Sequence, residues 1–582
     1  MAGVVAAGCA LRRPPETGPA ARAFHSFADR FLAAHFAERP LEAVALGLHA
    51  HDGRLVVPTR AWVESEIRRL HAARAELGAL PAGRPGTDLR LEQRLLEAVI
   101  DRELWTLEVQ QGWRRNPMTY AGALDVSVYL KRSFKPLAAR VADMTSILRQ
   151  APALFAAART NLDPVLPRPL VEMAIEVGRG TESFLDREVR QAAGTVGDRA
   201  VGEPFAHALG DALGEIRRYL DWLRQERLPG AGGQFALGRE AFVGMLRAER
   251  IDLSPEAILD QGRRELRAEQ ERFDAAARVI DPTRPPIEVF RSIQREHPTP
   301  ASLLADTRRN LERIRQFVVD RDLVTIPREV RARVEETLPP FRATSFASMD
   351  TPGPFERVAT EAYYYVTPVE PDWTPAQQEE WLTALNYYTT DVVSIHEVYP
   401  GHYTQFLALN ASRAGRVAKV FPSYSFAEGW AHYTEQMVLE AGFMQVADPA
   451  RASRPEVVRA AKYRMAQSDE ALLRLCRLCA AIRLHCQGAG LEEVTRFFQE
   501  HCHYEEKPAR QEALRGVYDP AYLYYTLGKW QILQWRAERQ AREGAAFSLK
   551  HFHDQLLSHG APPLGLLRER LLADPGRRHG SP

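Results

Sequence analysis

Apolar residues recur along this chain at helical spacing. Between residues 88 and 111, Leu91, Leu95, Leu96, Val99 and Ile100 fall near i, i+4, i+5 and i+8 with charges between them. That is the stripe of a helix that buries one face. Similar stripes over 60–79, 204–227, 255–279 and 301–318 predict further helices. Ser254-Pro255-Glu256 reads as a cap with proline in the first helical turn. Proline-rich breaks are expected at 164–169, 281–286 and 368–375. Towards the C-terminal end, helices are expected over 426–440, 455–486 and 520–540. A longer one should start after Trp373, carrying Leu382, Leu385, Val392, Val393 and Ile395. One segment breaks the pattern. TEAYYYVTPVE (360–370) is aromatic and β-branched between prolines, and predicts a short strand. No repeat of 20–50 residues is apparent, which argues against a solenoid.

Composition narrows the class. The 582 residues are 45% apolar and 26% charged, as in a globular protein with a large core. With 76 basic and 75 acidic residues the net charge is +1, so no strong field favours nucleic acid or an anionic membrane. No apolar run approaches the roughly 18 residues that a spanning helix requires. The leader is ambiguous: MAGVVAAGCALRRPPETGPAAR holds a short apolar run ending at Cys9 but lacks a basic start. A cytoplasmic chain with a disordered leader (1–23) is expected; the alternative is an exported protein or lipoprotein. Cys476, Cys479, Cys486 and Cys502 stand near His485, His501 and His503. The helical context of the CRLC pair favours buried core thiols over a metal cluster.

The chemistry concentrates in SIHEVYPGHYTQF (394–406) and AEGWAHYTEQ (427–436). His396 and His402 offer neutral imidazoles, and Glu428 a carboxylate. These three donors suit zinc with a fourth position left open for water. Glu397, about 100° around the helix from His396, is aimed to take a proton from that water. The spacing is unusual. Histidines four apart share a helix face, but six apart they diverge by about 120°. Pro400 and Gly401 fall between them, so a local break is expected to return His402 to the common centre. On the Glu428 helix, His432 is a rival ligand, a substrate contact or a surface residue. Glu435 is either a hydrogen-bond partner for a ligand histidine or an exposed charge.

HE-x-x-PGH followed by EGWA-x-Y-x-E resembles the bacterial family catalogued as domain of unknown function 885. ERPLEAVALGLHAHDGRL (38–55), GREAFVGMLRAERIDLSPEAILDQGRREL and YLYYTLGKWQILQWR (522–536) extend the likeness over about 24–570. The resemblance implies a large, mainly α, zincin-like metallopeptidase with a glutamate as third ligand. A small β element is expected beside the active-site helix, its edge open to an extended substrate. It also implies Tyr525 as oxyanion donor, with Tyr522 and Tyr524 as rivals. Arg464, Arg474, Arg477 and Lys529 are candidates to hold a peptide carboxylate. Three positions depart from the family's usual pattern: Tyr403 after His402, His432 within EGWA-x-Y, and Ala481 before Leu484 and His485. The last weakens any role for His485.

The expected organisation is a helical wall over 24–290 and a catalytic region over 291–575, joined as one continuous fold. The expected function is zinc-dependent cleavage of short peptides, with Glu397 as base and then acid. The alternatives are a metal-dependent amidase or esterase on a small molecule, and a non-catalytic binding protein that retains the fold.

Overall fold

The computed structural model describes residues 18–84, 87–327, 330–338, 342, 345–370, 372–448 and 451–572. Cys9 and most of the expected leader lie outside them. The chain is mainly helical, with one three-stranded sheet among the described residues. The helix α1 (Asp88–Leu104) continues into a wider turn over Trp105–Gln110 and stops at Gln111, whose φ is 52°. α2 (Pro255–Ile280) starts where Ser254 Oγ accepts the Ala257 N–H at 3.2 Å. α3 (Leu303–Asp320) follows.

The sheet has the order β1 (Arg333–Glu336), β3 (Tyr363–Val366), β2 (Ala347–Asp350). β3 runs parallel to β1 and antiparallel to β2. The predicted strand is therefore the central one, and both its edges are paired. The expectation that its edge would receive a substrate is corrected: the outer edge near the site belongs to β2. Thr367 donates its N–H to Phe346 O, and Ser348 pairs with Tyr365. In an antiparallel ladder the intervening residues, Ala347 and Met349, then turn their backbone groups outward.

The predicted long helix after Trp373 is two helices. Asn386 accepts the Thr389 N–H at 3.0 Å and so starts α4 (Tyr387–Glu397) after a shorter helix over Pro375–Ala384. Apolar spacing alone did not register this asparagine cap. α5 (His402–Ala411), α6 (Tyr424–Glu440), α7 (Arg454–Cys486), α8 (Glu506–Tyr518) and α9 (Tyr524–Glu543) complete the site region. α2 packs along α7, with Ile258, Leu259, Leu266 and Phe273 sharing one core with Leu472, Cys476 and Cys479. A second core joins Ile395, Tyr399 and Tyr403 to Trp430, Tyr433 and β3. The candidate site lies where these two cores meet. Cys476, Cys479 and Cys502 are buried, and all four described cysteines are free thiols.

Candidate metal centre

α4 ends at Glu397 because the backbone turns sharply before Gly401. The Gly401 N–H donates to Ile395 O at 3.0 Å, folding the loop back onto the helix it leaves. A Cβ on Gly401 would sit 1.7 Å from His396 O, so only glycine permits this approach. The indole N–H of fully buried Trp430 donates to Pro400 O at 2.9 Å, tying the turn to α6. α5 then restarts at His402, and its first residue faces the last turn of α4. The His396 and His402 rings lie 4.8 Å apart, nearly perpendicular at 88°.

Glu428 reaches both rings from α6. Its Oε2 is 3.4 Å from His396 Nε2 and 3.4 Å from His402 Nε2. One ligand atom from each of the three residues can be chosen so that all lie within 4.8 Å of one another. Donors about 2.0–2.1 Å from a tetrahedral zinc would stand roughly 3.3–3.4 Å apart, which is the separation seen here. Neither contact makes a well-formed hydrogen bond, and Glu428 Oε2 is buried without a partner. A buried carboxylate oxygen left unpaired is costly unless a cation completes it. The donor set fits a divalent metal of the zinc kind.

Glu435, about two turns further along α6, is fully buried and holds His396 in place. His396 Nδ1 donates to Glu435 Oε1 at 2.7 Å, which turns Nε2 toward Glu428. The reading of Glu435 as an exposed charge is thus overturned. His432 is also buried, and its Nδ1 lies 3.0 Å from Glu435 Oε2. It is neither a surface residue nor part of the three-ligand group. Burial would push the Glu435 carboxyl up, but His432, Arg474 and His396 hold it well below the usual range. Burial likewise opposes charge on His396, yet Glu428, Glu435 and Glu397 outweigh it and lift the imidazole to about 9. His432 falls to about 3 through burial and the nearby Lys529.

Glu397 is not one of the three clustered residues; its Oε2 accepts the Met349 N–H of β2 at 3.1 Å. Tyr525 is the tyrosine of its segment that faces the site, its ring 6.3 Å from His396 and nearly parallel to it. Its rivals are occupied elsewhere: Tyr524 donates to Met245 O, and Tyr522 sits in the α2–α7 core. Two glycines explain the placement of Tyr525. A Cβ on Gly429 would lie 2.5 Å from Gly528 Cα, and one on Gly528 would lie 1.9 Å from Ser425 O. Backbone contact at this crossing of α6 and α9 brings Tyr525 beside Glu428.

Of the four basic candidates, Arg464 is exposed on α7. Arg477 spends both prongs of its fork on Glu512 at 2.7 Å. Arg474 is held by Glu470 and lies 3.7 Å from Glu435. Lys529 is buried on α9, and burial lowers its pKa. His485 is structural: Nδ1 accepts the Leu237 N–H at 3.2 Å and Nε2 donates to Gly516 O at 2.7 Å. Sequence reasoning missed Tyr424, Arg515, Asp519 and Met349. Tyr424 was within reach, since it stands one turn before Glu428 on the same helix.

These features define a helical protein with a clustered His-His-Glu donor set at the seam of two cores. The chain belongs to the family described as bacterial protein of unknown function (DUF885), which matches residues 40–571. No curated protein matches it. Two solved structures share the fold, each described as a putative lipoprotein. One, of unknown function from Shewanella oneidensis, is 21% identical with a TM-score of 0.78, covering 96% of this chain and 100% of its own. The other, from Colwellia psychrerythraea, is 16% identical with a TM-score of 0.77, covering 94% and 98%.

Proposed function

We propose that this protein is a zinc-dependent hydrolase of the zincin type that cleaves short peptides. The observation that carries the reading is the pair of 3.4 Å separations from Glu428 Oε2 to the Nε2 atoms of His396 and His402. His396, His402 and Glu428 would hold the metal. When bound, zinc supplies Lewis acidity toward a carbonyl and makes water a nucleophile near neutral pH. Glu397 takes the attacking water's proton and hands it to the leaving amine. The Met349 N–H fixes the orientation of that carboxylate without neutralising it. Tyr525 donates its O–H to the oxygen on which negative charge develops. Glu435 keeps His396 in the tautomer that presents Nε2.

The test pairs elemental analysis with peptide turnover. Glu397→Gln should retain one zinc per chain while turnover falls by about 10²–10⁴-fold. His402→Ala should lose both zinc and turnover. A fully active Glu397→Gln enzyme would remove the general base from the scheme.

The two fold relatives described as lipoproteins favour export with a lipid anchor over a cytoplasmic location. Cys9 is the residue that would carry the lipid. Expression of the chain from its own start with labelled palmitate checks this: label should enter wild type and be absent from Cys9→Ala. Unlabelled wild type would remove Cys9 as the lipid-bearing residue.

A further inference from the structure

Arg515, near the end of α8, is a guanidinium without a close partner beside the candidate centre. Its Nη2 lies 3.4 Å from the Tyr525 hydroxyl and 3.4 Å from the Tyr424 hydroxyl. Nε and Nη2 each lie 3.4 Å from Asp519 Oδ2, and no contact of Arg515 is shorter. Among the described residues Nη1 has no hydrogen-bond partner. Arg477 shows the contrast, with two 2.7 Å bonds to Glu512 on a side chain only 8% exposed. Arg515 keeps 29% exposure, and Tyr424, Glu428 and Asp519 around it are also partly exposed. Solvent therefore reaches Arg515 and these neighbours in part.

The charge around it is prepared for an anion. Arg474, Arg477 and Arg515 lie 5.9, 5.5 and 5.8 Å from the Tyr525 ring centroid. Arg474 and Arg477 are held by Glu470 and Glu512, so their forks are unavailable to a ligand. Arg474 Nε is nevertheless buried with no partner. Arg515 alone of the three combines loose contacts with access. A planar fork with unspent donors matches a carboxylate.

We propose that Arg515 binds the free C-terminal carboxylate of a peptide whose scissile bond lies at the His396–His402–Glu428 centre, making it a specificity-determining residue for cleavage near the C-terminus. The proposal rests on the peptidase reading above. In this arrangement Tyr424 and Tyr525 frame the anion, and Asp519 keeps Arg515 oriented when no ligand is bound. A peptide amide lacks the charge and leaves the guanidinium with its long contacts only.

The test uses the full-length, zinc-loaded protein with N-acetyl-tetra-alanine as free acid and as C-terminal amide. Binding is measured by calorimetry on the Glu397→Gln protein, and hydrolysis on the protein with Glu397 intact. The acid should bind about 10–100-fold more tightly than the amide, the range of a charge-assisted hydrogen bond, and kcat/KM should favour it similarly. Arg515→Gln should abolish this preference in both measurements, and Arg515→Lys should restore part of it. Equal binding of acid and amide by the protein with Arg515 intact would overturn the proposal. So would an Arg515→Gln loss that is equal for the two ligands, which would assign Arg515 to positioning Tyr525. Acid-selective binding that needs Arg515, without hydrolysis of either peptide, would sink the peptidase reading and leave the carboxylate site standing.

Discussion

Glu435 has two histidines and an arginine around one buried carboxylate, and this crowding defines its work. His396 Nδ1 at 2.7 Å and His432 Nδ1 at 3.0 Å share its two oxygens, and Arg474 offsets the charge at 3.7 Å. A neutral amide cannot accept from both imidazoles as strongly, so His396 loses the partner that fixes its tautomer. Glu435→Gln is expected to weaken zinc binding about 10–100-fold in competition with a chelator, with the fold retained. Unchanged affinity would mean that Glu435 serves only to satisfy His432. Sequence reading offered such a partner as one of two roles for Glu435, the other being an exposed charge. It left His432 open, because helical periodicity gives a face but not what that face meets. His485 was out of reach for the same reason: its partners, Leu237 N and Gly516 O, come from segments far away in the chain.

At the scale of the element, the α4–α5 break decides whether two histidines six apart become neighbours. Gly401 is the point of closest approach, with no room for a Cβ against His396 O. Gly401→Ala should force the turn apart and move His402 away from Glu428. The expected outcome is zinc affinity reduced by a hundredfold or more, beyond what loss of an outer hydrogen bond costs, with far-UV circular dichroism little changed. A Gly401→Ala protein that binds zinc as tightly as wild type would refute this account of the turn. The break was legible from Pro400 and Gly401. The separate start of α4 at Asn386 was not, because its apolar stripe runs on through Leu382, Leu385 and Val392. The β3 segment was legible as a strand, but its partners were not. Strand pairing joins residues distant in sequence, and nothing local in TEAYYYVTPVE states that β2 would cover its edge.

Across the whole molecule, the site joins elements that belong to different packing units. α4, α5 and α6 bury residues in one core, while α7 and the start of α9 bury theirs in the core shared with α2. A cation bridging α4, α5 and α6 would tie three helices of one core together and bind only the folded chain. Zinc at about a thousand times its Kd should add about 4 kcal/mol of stability by mass action. The thermal midpoint should rise by several degrees for wild type and for Glu397→Gln, and little for Glu428→Gln. An equal rise in Glu428→Gln would show that zinc stabilises the protein from elsewhere.

The sequence by itself determined the helical class, the three residues that come together and the need for a break between the histidines. Apolar periodicity, donor chemistry and the conformations open to proline and glycine are local properties, readable over a few turns. Only the tertiary structure decided which tyrosine faces the site, which edge of the sheet reaches Glu397, and which arginine is held only by long contacts. Those outcomes depend on backbone contact at Gly429 and Gly528 and on pairing between remote segments, where distance along the chain carries no information about distance in space.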